Sequence, residues 1–248
     1  TVAVPGAARR EQRLKKYCEN RRFHADAKIR NIFRINSYFC AVDYSETAMA
    51  DTMHKINKVE VRNLQMEDYG QLAQSFTRVY ADKDVLWTRE QIRKLVTIFP
   101  EGQIVTVVDG RIVGCALSII VDYDTVKGDH TYAKVTGGET FDTHTPNGNI
   151  LYGIEVFIHP DYRGLRLARR MYDYRKELCE KLNLKAIMFG GRIPNYYKYA
   201  DRMRPKEYIG KVRSREIYDP VLTFQLSNDF HVRRVMPNYL PNDEESCH

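Results

Sequence analysis

The sequence predicts a mixed α/β domain: a mostly antiparallel central sheet flanked by helices. Three observations predict it. Strand-like alternation and helical stripes succeed one another from residue 58 onward. A strong hairpin signal, Asp109-Gly110, joins two apolar runs. A strand–helix–strand unit then closes the pattern, a mixed order rather than the regular alternation of a doubly wound sheet.

Taken in order, "KVEVRNL" alternates like a strand. "MEDYGQLAQSFTRVY" follows, with Leu72, Phe76, Val79 and Tyr80 at helical spacing. Thr88 and Gln91 form a capping-box signature that opens a second helix running through Phe99. "IVTVVDGRIVGCALSIIVDYD" reads as the hairpin, and residues 125–148 as a polar, Gly- and Thr-rich loop. "NILYGIEVFIH" is a strand ended by Pro160. Leu167, Met171, Tyr174, Leu178 and Leu182 stripe the next helix, and "KAIMFGG" is the strand after it. An irregular, helical-looking insertion over 192–217 leads to "DPVLTFQLSNDF" and a short strand, "HVRRVM".

Composition bounds the class. Of 248 residues 43% are hydrophobic and 11% aromatic, enough for a packed core. No apolar run is long enough to cross a membrane as a helix. The five cysteines are scattered and odd in number, which fits a reduced, cytoplasmic compartment and neither a disulfide framework nor a zinc site. Of the net charge of +7, most lies in residues 1–48, where ten basic side chains face five acidic ones. This basic extension is expected to be partly helical or disordered; an organellar presequence and an arm for acidic partners are the other readings. Met49 and Met53 are natural starts for the compact part. Without a nucleic-acid motif or basic–aromatic interleaving, no nucleic-acid partner is expected.

The stretch "DYRGLRLARR" raises the question of function. A helix start leaves backbone N–H groups unpaired at the positive end of the dipole, and a glycine turn before it lets phosphate oxygens approach. Gly164 permits that approach; Arg163, Arg166, Arg169 and Arg170 add charge. A basic turn on a surface helix has the same pattern, so spacing alone leaves both readings open. A nucleoside-triphosphate loop and a dinucleotide fingerprint are both absent.

"VFIHPDYRGLRLARRMYD" resembles the acetyl-CoA signature of the GNAT superfamily of N-acetyltransferases. Arg163 matches its first position and Ala168 its last, while Arg166 stands where a middle glycine is usual. "VEVRNLQMEDYGQL" is similar to the opening strand and helix of that family, and "NDFHVRRVMPNYLPNDEES" to its late turn, strand and hairpin. "GGRIPNYYKY" and "DPVLTFQLSNDF" further resemble the acetyltransferase half of bacterial GNAT/carbon–nitrogen hydrolase (nitrilase-like) fusions. The resemblance spans residues 58–246, and the family's last strand would fall past His248, implying a fragment or a domain lacking that strand.

The resemblance implies a GNAT acyl-CoA N-acyltransferase fold whose sheet splays at the CoA site, acetyl-CoA as co-substrate without metal, and a ternary-complex mechanism. Val156, Phe157 and Ile158 would hold pantetheine and polarise the carbonyl; Arg163, Gly164, Leu165, Arg166, Leu167, Ala168 and Arg169 would take the pyrophosphate. An Arg at 166 would fit if that residue is already helical. The acceptor would be a small-molecule or peptide amine. A C-terminal hydrolase domain would lie outside this chain, since no Cys–Glu–Lys constellation of such a hydrolase is recognised in it; a homodimer is a further expectation.

Glu155 is the first candidate for the base, an acid inside an apolar strand where burial raises a carboxyl pKa. A solvent-facing or arginine-paired Glu is the alternative. For the acid, the family's usual tyrosine position falls on Gln225. Tyr196, Tyr197 or Tyr199 could substitute, Tyr197 preferred, though each also reads as a packing residue and a thiolate leaves without help. His130 and His144, near Asp122, Asp124 and Asp129, have no metal-ligand spacing and read as ordinary loop polar residues. If they act, the acids would attract a cationic amine. Cys115 reads as inert core.

Overall fold

The computed structural model describes residues 56–80 and 87–247. The expectations for the basic extension fall outside these residues.

Five strands form one sheet in sequence order: β1 (Val59–Asn63), β2 (Ile104–Val108), β3 (Arg111–Val121), β4 (Ile150–Ile158) and β5 (Ala186–Phe189). Each neighbouring pair is antiparallel except β4 and β5, which are parallel. The mostly antiparallel α/β architecture read from the sequence is therefore the observed one.

Helices α1 (Tyr69–Val79) and α2 (Arg89–Ile98) cover one face, where Leu72, Phe76, Ile92 and Leu95 pack on Cys115, Leu117, Tyr152 and Phe157 in the main core. Helix α2 begins as expected: Thr88 Oγ1 accepts from the Gln91 amide at 3.2 Å, and Gln91 Oε1 accepts from the Thr88 amide at 2.8 Å. The β2–β3 turn has φ of 48° at Asp109 and 82° at Gly110, the paired left-handed residues of a type I′ turn. Its Asp109 carboxylate also accepts from the Lys58 amide at 2.8 Å, tying the start of β1 to the turn.

Two short helices, α3 (Tyr123–Val126) and α4 (Tyr132–Thr136), lie in the long polar connection before β4. Helix α5 (Leu167–Lys181) links β4 to β5, and Met171 packs it on Ala116 and Ile104. Its buried face is wider than the sequence stripe, taking in Tyr172, Arg175 and Cys179, while Leu182 at the helix end is exposed. Tyr172 meets Phe189, Phe224 and Phe230 in an aromatic cluster against β5. Helices α6 (Pro205–Arg213) and α7 (Leu222–Leu226) enclose a smaller core around Tyr196, Tyr208 and Val212.

One element is corrected. "HVRRVM", expected as a strand, is irregular. Its alternation has no buried face to drive pairing, since Val232 is 42% exposed and Arg233 and Arg234 face solvent.

Candidate active site at the parting of two strands

Strand β5 accompanies β4 for only four residues, Ile150 to Gly153 against Ala186 to Phe189. Beyond Gly153, β4 runs on to Ile158 with β3 as its only partner among the described residues, so the two strands part as the resemblance implied. At that point β4 carries a bulge: Ser118 pairs with Gly153 and Leu117 with Glu155, leaving Ile154 extra. The bulge puts Ile154 and Glu155 on the same side of the strand as Tyr152, toward α1 and α2.

A bulge loosens backbone groups that must find other partners. Arg175, 2% exposed on α5, provides them: its Nη2 donates to Leu117 O at 2.6 Å and to Glu155 O at 2.9 Å. Among the described residues no carboxylate pairs directly with this guanidinium and its Nε has no partner; burial lowers its pKa.

The Glu155 carboxylate is held by three donors. Tyr80 hydroxyl gives to Oε1 at 2.8 Å, Trp87 Nε1 to Oε2 at 3.2 Å, and the Val156 amide to Oε1 at 2.9 Å. Burial pushes the carboxyl pKa up against the opposing pull of these bonds. The solvent-facing alternative is thereby removed. The cage has a second meaning, because the Val156 amide, which the resemblance assigns to pantetheine and the thioester carbonyl, is occupied by Glu155 itself. Of Val156, Phe157 and Ile158, only Phe157 is fully buried, its ring 4.7 Å from that of Phe76.

Beyond β4 the chain passes through a short helical turn, Pro160–Tyr162, to Gly164 at φ 85°. A side chain there would meet nothing within 4 Å, so this glycine serves the turn's conformation. Arg166 is not helical, contrary to the condition on which it would fit. It stands before α5 at φ 56°, ψ 21°, the left-handed region where glycine is the ordinary residue. The first helical bond is long, Arg170 N to Arg166 O at 3.4 Å, and no side chain caps the helix. The amides of Leu167, Ala168 and Arg169 thus find no acceptor among the described residues. Arg163, Arg166, Arg169 and Leu165 surround them on the exposed surface, while Leu167 is buried and anchors the turn. None of these arginines forms an ion pair with another described residue.

Tyr197 is not brought to Glu155. It lies 49% exposed beside Lys198, on the smaller core, and Tyr196 donates to Met203 O there. The phenol that reaches Glu155 is Tyr80, which sequence periodicity marks only as an apolar helix position. Trp87 was legible only as the single tryptophan, and Arg175 as a charge inside a buried helical face. Gln225, also off the carboxylate, packs against Gly191, where its Oε1 would be 2.5 Å from a Cβ.

A second polar group converges on the same region. Tyr239 packs on Gly190, just past β5, so closely that a Cβ there would come within 2.1 Å of its ring. Its hydroxyl meets that of Tyr152 at 2.9 Å, and Tyr152 meets His130 Nε2 at 2.9 Å. Burial pushes the Tyr239 phenol up to about 12, partly offset by a hydrogen bond from the Gly190 amide. His144, by contrast, stacks on Phe99, and its Nδ1 accepts from the Ile120 amide. Cys115 is buried core with a raised pKa. Among the described residues there is no group of three metal-ligand side chains and no helix long and apolar enough to cross a membrane.

Comparison with known proteins agrees with this geometry. Residues 59–199 match the model of the Acetyltransferase (GNAT) family. "Uncharacterized N-acetyltransferase YkwB" of Bacillus subtilis (strain 168) is 34% identical over 162 residues, which make up 65% of this chain and 72% of that protein. "Probable hydrolase YhcX" of the same organism is 40% identical over 189 residues, 76% of this chain; the chain spans only 37% of YhcX. Among solved structures, the loading GNATL domain of CurA from Lyngbya majuscula shares the fold, with a TM-score of 0.67 at 22% identity over 77% of this chain and 93% of that one. By its family match and its likeness to YkwB, the chain belongs to the GNAT family of acetyltransferases.

Proposed function

We propose that this chain is an N-acetyltransferase that carries the acetyl group of acetyl-CoA to a primary amine within a ternary complex. The observation that carries the proposal is the parting of β4 from β5 directly before an uncapped, arginine-rich helix start. A strand edge without a partner offers amides and carbonyls to the pantetheine arm, and a helix start offers amides and dipole to a pyrophosphate. The Val156 carbonyl, its amide being held by Glu155, and Ile158 would supply the strand contacts beside Phe157. Arg163, Gly164 and Leu165 through Arg169 would supply the phosphate contacts. Glu155 beside the parting would order the acceptor side or take its proton, and Tyr197 would meet the acceptor only at the rim.

One alternative has support in the site itself. Three donors hold Glu155, and Tyr197, the sequence candidate for the acid, is not one of them, which would suit a non-catalytic acyl-CoA-binding module of a larger protein. The name of YhcX makes a hydrolase the natural companion in that case.

Calorimetry and a thiol-release assay test both. The 248-residue chain should bind CoA, and Arg163→Ala with Arg169→Ala should weaken binding about tenfold, the loss of a charge-assisted phosphate contact or two. Turnover with any of a panel of primary amines selects the enzyme over the binding module. A chain that binds no CoA would end both readings.

A further inference from the structure

The hydrogens in the second polar group can be assigned. His130 Nδ1 lies 2.9 Å from Gly128 O, a carbonyl that can only accept, so Nδ1 carries the ring proton. Nε2 then has only a lone pair to offer, and Tyr152 must donate to it across 2.9 Å. With its hydrogen spent there, Tyr152 can only accept from Tyr239. The chain of hydrogens therefore points one way, from Tyr239 through Tyr152 to a basic nitrogen. It begins where β4 and β5 part, since Tyr239 lies against Gly190, and Phe189 before it is the last residue of β5 paired with β4.

Glu155 is differently placed. Its carboxylate already accepts from Tyr80, Trp87 and the Val156 amide, so taking a substrate proton means displacing part of that cage.

We propose that the proton leaving the acceptor amine passes through Tyr239 and Tyr152 to His130, and that Glu155 orders the site instead of serving as its base. The inference rests on the transferase reading above. Tyr239 is the catalytic residue, meeting the amine; Tyr152 and His130 act through it as positioning residues. In the step, the amine nitrogen bonds to the thioester carbonyl carbon and the C–S bond breaks, its electron pair leaving on sulfur as thiolate. The amine proton moves to Tyr239 Oη, the Tyr239 proton to Tyr152, and the Tyr152 proton to His130 Nε2. The imidazolium keeps its Nδ1–H on Gly128 O, and after product release the reverse hop returns the extra proton to solvent.

Charges face this wire from several elements. Tyr152 comes from β4, Tyr132 from α4, and Tyr239 from the C-terminal segment, whose Arg234 pairs at 2.6 Å with Asp129 beside His130. Glu139 and Glu155 act on Tyr132 from farther off.

The test is Tyr152→Phe in the 248-residue chain, which removes one oxygen and cuts the wire in its middle. It should bind CoA as the wild type does and lose about 100-fold in kcat, the usual worth of a positioned proton acceptor. The acid limb of kcat/KM against pH, present in the wild type because a protonated His130 cannot accept, should vanish. Rates in H2O/D2O mixtures should change from a curved proton inventory to a linear one. His130→Gln should repeat all of this. If Tyr152→Phe fails to fold, Tyr239→Phe cuts the wire at its outer end and leaves Tyr152 on His130. Wild-type rates and limb in these variants, or loss of the limb in Glu155→Gln alone, would overturn the relay while leaving the transferase standing. CoA binding without turnover of any amine would remove both.

Discussion

The two halves of strand β4 share a backbone and little else. From Ile150 to Gly153 the strand has a partner on each side and every side chain is buried. From Ile154 to Ile158 it has β3 alone among the described residues, with Ile154 and Phe157 buried and Glu155, Val156 and Ile158 partly exposed. The first half is scaffold; the second is an opening. What separates them is less a loss of hydrogen bonds than a transfer of them. Arg175 takes the carbonyls of Leu117 and Glu155, and the Glu155 carboxylate takes the Val156 amide. A strand edge can stay open inside a protein when side chains hold the groups the sheet has released.

The comparison breaks most completely at Arg175. Arg175→Met keeps most of the volume but leaves two buried carbonyls without a donor, each at about 1–3 kcal/mol. A loss of about 3 kcal/mol is expected, read as a melting temperature lower by roughly 10 °C for a domain of this size. An unchanged urea midpoint would mean the bulge satisfies itself.

Glu155 gives an effect that depends on pH. Its folded-state pKa is raised, so the folded chain holds this proton more tightly than the unfolded one. The stability it contributes is complete below the ordinary carboxyl pKa and is lost as pH rises through the raised value. Relative to Glu155→Gln, the wild-type urea midpoint should fall as pH rises from about 4 and then level off. A difference that grows with pH would show that the three donors outweigh burial.

The smallest effect sharpens the contrast from outside the strand. Arg166 holds a left-handed conformation that costs a side chain about 1 kcal/mol, so Arg166→Gly should raise stability by about that amount. Unchanged or tighter CoA binding in the same variant, measured by calorimetry, would show that the guanidinium adds nothing to the phosphate site. A tenfold weakening would assign it a contact.

Local chemistry made much of this legible. Asp109-Gly110 can hardly be other than a type I′ turn, and Thr88 with Gln91 caps a helix from four residues alone. The parting of β4 and β5 was accessible only through the family resemblance, because strand pairing is not a local property. "HVRRVM" misled because alternation marks a strand only if one face becomes buried. The site fared similarly: Glu155 stood out as an acid in an apolar strand, whereas Tyr80 reaches it across 75 positions of sequence. Tyr197 has no local signal that separates it from Tyr196 and Tyr199, and it lies half-exposed beside Lys198. Arg166 was misjudged by one backbone angle, which no residue type encodes.

The seat of Tyr239 on Gly190 has a consequence in the order of synthesis. The five described strands are all in place once β5 has formed, and His130 and Tyr152 precede β5 in the sequence. Their shared hydrogen bonds still lack a terminus until residue 239 arrives. A chain growing from its N-terminus therefore lays down these five strands before it completes its polar interior, with a segment that adds no strand among the described residues.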